Sequence, residues 1–90
     1  DEFDVRRPQK IQSRINGELR QDSTTDLMIF HVPYVIAELS QGMTLRPGTI
    51  ISMGTPAGVG MGFDPPKWLH PGDEVACSIE GIGTLTNTVR

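Results

Sequence analysis

The chain reads as a β-rich α+β fold carrying one amphipathic helix. Three observations predict this. Short alternating segments flank an Asn16-Gly17 pair, one 3.6-residue periodicity follows near residue 32, and two more alternating segments close the chain. Ten glycines and seven prolines in 90 residues make turns frequent and long helices unfavourable.

Lys10 to Asn16 alternates, with Ile11, Ser13 and Ile15 on one face and Gln12, Arg14 and Asn16 on the other. This is the pattern of a half-buried strand. Asn16-Gly17 is a two-residue hairpin signal, and Glu18–Asp22 forms the return strand of an exposed edge hairpin. Ser23–Asp26 is a polar turn. Val32, Val35, Ile36 and Leu39 recur at helical spacing, which predicts a helix over 32–41, with Pro33 in its first turn and Gly42 as its C-cap. Arg46-Pro47-Gly48-Thr49 and His70-Pro71-Gly72-Asp73 are matching Pro-Gly turns. Thr49–Met53 is predicted to be a buried strand. Strands are also expected over Glu74–Glu80 and Thr84–Val89, joined through Gly81-Ile82-Gly83. The expected order is β-β-α-β-loop-β-β.

Composition limits the function. Leu, Ile, Val and Phe make 23 of 90 residues, enough for a globular chain of at most one small domain. Net charge is −3 with acids and bases interspersed, so no basic stripe for nucleic acid exists. No apolar run reaches the ~18 residues of a membrane span, and no signal peptide is visible. Cys77 is the single cysteine, which excludes an intrachain disulfide; in its apolar strand it reads as a buried structural thiol. A reducing, cytoplasmic setting is the default. The chain starts at Asp1 without an initiator Met and so is expected to be a piece of a longer protein. Residues 1–9 read as a charged lead-in or linker, and residues 10–90 as one incomplete domain.

The candidate site is Gly54-Thr55-Pro56-Ala57-Gly58-Val59-Gly60, opening a long loop to Trp68. It is not a P-loop, lacking the Lys-Ser/Thr pair, and Phe63 breaks a G-x-G-x-x-G pattern. Two readings stand on physics alone. Thr55 and nearby backbone N–H groups hold a small anion, or the segment is a wide turn. Other candidates are thin. His31 has no partner at metal spacing and suits a helix cap; His70 lies in a turn. Glu18, Asp22 and Asp26 cluster near the hairpin as possible metal oxygens or, more ordinarily, solvated turn acids. Glu80 reads as a rim charge. No catalytic set can be assembled.

An ordered set of motifs then resembles the fumarylacetoacetate hydrolase family. It comprises Asn16-Gly17-Glu18, Gln21-Asp22-Ser23, Met28-Ile29-Phe30, Leu39-Ser40 and Met43–Gly48. The Gly54–Gly60 loop, Leu69–Asp73, Ile79–Leu85, Asn87 and Val89 complete it, covering residues 10–90. Thr49 stands where the family often has Asp. The resemblance implies the C-terminal portion of a mixed β-roll, usually homodimeric. It implies Mg²⁺ or Mn²⁺ chemistry on 2-oxo or β-diketo carboxylic acids, by C–C hydrolysis, decarboxylation, hydration or isomerisation. The family's metal ligands, a Glu-x-Glu pair and an Asp, lie N-terminal to the matched region. Asp1-Glu2-Phe3-Asp4 does not supply them, so neither a metal ligand nor a catalytic residue is assigned in this chain. The resemblance gives substrate binding to Thr55, with Gly54, Pro56 and Gly58, and makes the remainder of the domain a partner. The rival reading is a β-rich binding or scaffolding module without chemistry.

Overall fold

The computed structural model describes residues 3–90. Four strands form one antiparallel sheet: β1 Lys10–Ile15, β2 Glu18–Thr24, β3 Glu74–Ile79 and β4 Gly83–Thr88, in the spatial order β2-β1-β3-β4. One helix, α1, spans Val32–Gly42. The architecture is thus the β-rich α+β one that the sequence predicts, with four strands where five were expected.

The hairpin between β1 and β2 follows from Asn16-Gly17. Both residues take positive φ, 51° and 81°, which matches the twist of the flanking strands. Asn16 also fastens the hairpin to the rest of the sheet. Its Nδ2 donates to Asp73 Oδ1 at 2.9 Å, its Oδ1 accepts from the Glu74 N–H at 2.8 Å, and its own N–H donates to Glu74 O at 2.8 Å. The Asp73 carboxylate accepts from the His70 N–H as well, at 2.8 Å. These donors, with the Asn16 amide foremost, hold the Asp73 carboxyl below its ordinary range. The Pro71-Gly72 turn and the hairpin tip, 55 residues apart in sequence, therefore meet through one amide and one carboxylate.

β2 runs to Thr24, two residues beyond the expected end, because Ser23 and Thr24 pair with Ile11 and Lys10. A bulge between Ser13 and Arg14 places an extra residue in β2, so that Ser13 pairs with Gln21 and Arg14 with Leu19. The bulge turns Arg20 and Gln21 toward the same side, which is where the long loop lies. Pro33 occupies the first turn of α1 as expected, but Gly42 is the last helical residue and Met43 closes the helix. His31 sits at the N-cap without a side-chain cap hydrogen bond, so its expected capping role is not realised.

Two expectations are corrected. Thr49–Met53 has no regular secondary structure and is no strand; it finds no partner in the sheet, and Ile50 is 93% exposed. Apolar character alone does not make a strand where no neighbour offers its hydrogen bonds. Cys77 is exposed. The register aligns Ser13, Cys77 and Leu85 across the sheet on the loop-facing side, but the loop covers only the β1–β2 half, and Leu85 is 67% exposed.

No side chain among the described residues is fully buried. Apolar residues on the loop-facing side of the sheet, such as Ile11, Ile15, Val75 and Ile79, are half-buried. α1 lies against no strand over an extended surface; its aromatic neighbour Phe30 stacks on Tyr34 with ring centroids 5.3 Å apart. Asp1 and Glu2 fall outside the described residues. The rest of the lead-in forms a turn around Asp4, paired with Arg6 at 3.1 Å, and the Phe3 ring lies against Gly81.

The Asn16 bridge is testable by thermal melting of the complete protein. Asn16→Gly keeps the turn but deletes both side-chain bonds, and lowers the midpoint. Asn16→Ala lowers it further, since alanine at φ 51° adds strain on the order of 1 kcal/mol. Equal midpoints for the two variants would contradict the turn assignment.

Candidate functional site

The glycine loop returns over the face of β1 and β2 and is fixed there by a side chain that sequence reasoning did not single out. Gln21 Nε2 donates to Thr55 Oγ1 at 2.7 Å and to Pro56 O at 2.9 Å. Its Oε1 accepts from Ser13 Oγ at 2.8 Å. The four predicted site residues thus sit together on this anchor. Thr55 is exposed, Pro56 is half-buried, and Gly54 and Gly58 flank them at φ 93° and 107°. The signal for Gln21 was its place in the Gln21-Asp22-Ser23 motif, since its pairing with Ser13 arises only from the bulge. Its reach to a residue 34 positions later was not legible.

Backbone proximity dictates two glycines. A Cβ on Gly58 would overlap the Arg20 carbonyl, and one on Gly60 would overlap the Lys67 carbonyl. The second contact closes the loop on itself: Gly60 O accepts from the Lys67 N–H at 2.8 Å, beside a short 3₁₀ turn over Gly60–Gly62. Together the sheet and loop line an open hollow of about 210 Å³. Ser13, Ile15, Arg20 and Gln21 line it from below, and Gly58–Met61 with Lys67–Leu69 from above.

A charged clasp secures the far end of the loop. Glu18 Oε1 accepts from Arg20 Nε at 2.9 Å and from Lys67 Nζ at 3.2 Å. Lys67 Nζ also lies 4.5 Å from the centre of the Phe63 ring, and the Arg20 guanidinium 5.6 Å from it. The Lys67 hydrogen bond, then the Arg20 charge, hold the Glu18 carboxyl below its ordinary range. Glu18 is 56% exposed, so the clasp steers the loop and adds little to stability.

The remaining candidates scatter. Asp22 accepts from Gln12 Nε2 at 2.9 Å, Glu18 is spent on the clasp, and Asp26 lies with His31, Arg6 and Arg7 around a separate hollow. His70 Nδ1 lies 3.2 Å from Trp68 O. Among the described residues no three His, Cys, Asp or Glu side chains converge as a metal site. No helix among them is long and apolar enough to cross a membrane.

Comparison with known proteins gives the family. The model for "Fumarylacetoacetate (FAA) hydrolase C-terminal" matches residues 1–90. Oxaloacetate tautomerase YisK of Bacillus subtilis is 52% identical over 80 residues, 89% of this chain and 27% of that protein. The solved fumarylacetoacetate hydrolase of Exiguobacterium antarcticum superposes with a TM-score of 0.93 at 48% identity, covering 99% of this chain and 32% of that one. The 2-hydroxyhepta-2,4-diene-1,7-dioate isomerase of Mycobacterium marinum gives 0.79 at 44% identity, covering 91% and 30%. This chain belongs to the fumarylacetoacetate hydrolase family and corresponds to the C-terminal part of its fold, spanning about a third or less of the length of these relatives.

Two predictions follow from the loop geometry. Gly58→Ala forces the loop off the sheet and Gly60→Ala breaks the loop's own closure; each cuts turnover by the complete protein at least about tenfold, whereas Gly62→Ala, whose Cβ would meet only Val59 Cγ2 at 3.6 Å, is tolerated. Kinetics of the three variants, with circular dichroism to confirm folding, decide this. The clasp is pH-dependent. Glu18 has a lowered folded pKa, so the clasp is fully formed above the ordinary glutamate pKa and is lost as pH falls through the lowered value. NMR titration of the Glu18 carboxyl carbon should report a midpoint below that of a free glutamate, and Lys67→Met should move it back up.

Proposed function

We propose that the Thr55 loop is the carboxylate-holding wall of an enzyme acting on 2-oxo or β-diketo carboxylic acids. The reactions in view are C–C bond hydrolysis, decarboxylation, hydration or isomerisation of acylpyruvate- or fumarylacetoacetate-type substrates. The observation that carries this is an exposed Thr55 hydroxyl anchored from behind by Gln21, with Gly54 and Gly58 leaving the backbone open beside it. Family relatives named as a tautomerase, a hydrolase and an isomerase support chemistry on such acids.

The residues of this chain bind and orient. The Thr55 hydroxyl donates to a substrate carboxylate, and the adjoining N–H groups favour its negative charge. One such bond to a charged group is worth about 1.5–3 kcal/mol. Fixing the carboxylate brings the reacting carbon to a defined place, which lowers the entropic part of the barrier. The proposal includes Mg²⁺ or Mn²⁺ in the complete enzyme. The described residues do not fit such a cation, so its ligands, and the groups that move protons, belong to the remainder of the domain. A homodimer in the reducing cytoplasm completes the proposal. A stand-alone binding module fits less well, because a sheet and helix with no fully buried side chain have little to hold them folded by themselves.

The complete protein is expected to turn over an acylpyruvate with Mg²⁺ or Mn²⁺ and to lose turnover on chelation. Thr55→Ala should lower kcat/KM by about tenfold or more. An unchanged kcat/KM would remove Thr55 from the site.

A further inference from the structure

We infer that Gln21 is a positioning residue that fixes which way the Thr55 hydroxyl points its proton, and so makes the loop selective for a hydrogen-bond acceptor such as a carboxylate. This deepens the proposed function and rests on its reading of Thr55.

Hydrogen-bond polarity carries the argument. Pro56 O can only accept, so the end of the Gln21 amide that faces it at 2.9 Å must be the N–H end. The same nitrogen lies 2.7 Å from Thr55 Oγ1. An amide nitrogen has two hydrogens and no acceptor capacity, so one hydrogen goes to each oxygen and Thr55 Oγ1 must accept. At the other end Oε1 can only accept, so Ser13 Oγ donates to it at 2.8 Å. Direction is therefore set along the whole chain, from Ser13 through Gln21 to Thr55. Thr55 is exposed, and among the described residues nothing takes its proton. That proton is turned outward, free for solvent or for a ligand. A flipped amide would set Oε1 against Pro56 O, so this carbonyl is what prevents the opposite polarity.

The experiment uses the complete enzyme, with kcat and KM measured for an acylpyruvate in the wild type, Gln21→Met, Thr55→Val and the double variant. Each single change is expected to raise KM by about tenfold, and the double variant to be no worse than Thr55→Val alone, because both remove one oriented donor. If Gln21→Met multiplies the defect of Thr55→Val, the glutamine merely supports the loop and the inference is overturned. If Thr55→Val raises KM and Gln21→Met does not, the inference falls while the reading of Thr55 stands. An unchanged KM in Thr55→Val removes both.

Gln21→Glu gives an independent test should the methionine variant not fold. An ionised carboxylate there accepts the Thr55 proton and reverses the relay. Relative to wild type, its KM should be raised at neutral pH and recover as pH falls through the carboxylate range. A ratio flat with pH would overturn the inference.

Discussion

The Gln21 amide is the contact on which the rest of the site depends. Three oxygens from two segments meet it: the Ser13 hydroxyl on β1, and the Thr55 hydroxyl and Pro56 carbonyl in the loop. A primary amide suits this junction because it carries two donors and an acceptor on one rigid plane. A lysine in its place could not accept from Ser13, and an ionised glutamate could not donate to Pro56. The loop is therefore held by chemistry that specifies its orientation as well as its attachment. It is also the reason that an exposed threonine, ordinarily free to rotate, has a defined neighbour.

That junction forms only because the sheet and loop approach closely. The β-bulge brings Arg20 and Gln21 to one side, and the Arg20 carbonyl then faces Gly58 at a distance that leaves no room for a Cβ. Gly60 meets the Lys67 carbonyl in the same way. The Glu18–Arg20–Lys67 group draws in the far end of the loop, with Phe63 beneath both cations. Glu18 and Lys67 are exposed while Arg20 is largely covered, so the group's effect lies more in where the loop ends than in how stable the fold is.

The exposed apolar surface is informative in the same terms. Ile29, Ile50, Leu27 and Met61 are each more than two-thirds exposed, and α1 has no extended partner. The chain spans about a third or less of its relatives' length. The proposed division of labour is consistent with this: the loop offers donors, while among the described residues no three His, Cys, Asp or Glu side chains converge as a metal site.

Much of this protein was legible from local signals. Asn16-Gly17 determined a hairpin because few residue pairs tolerate two positive φ angles. The Val32–Leu39 periodicity with Pro33 determined a helix, the Pro-Gly pairs determined two turns, and the ordered motifs determined the family. The reading failed where the outcome depended on remote neighbours. Thr49–Met53 has the apolar character of a strand but no partner to pair with, and Cys77 sits in an apolar pattern on a part of the sheet that nothing here covers. By itself the sequence settled the turns and the helix, and it singled out Thr55 as the side chain to test. Only the tertiary structure could decide that Gln21 stands behind Thr55, that Asn16 reaches Asp73, and that Gly58 and Gly60 must lack a Cβ. Hydrogen bonds and steric contacts between residues dozens of positions apart leave no periodicity in the chain; they exist only once the sheet has brought their partners together.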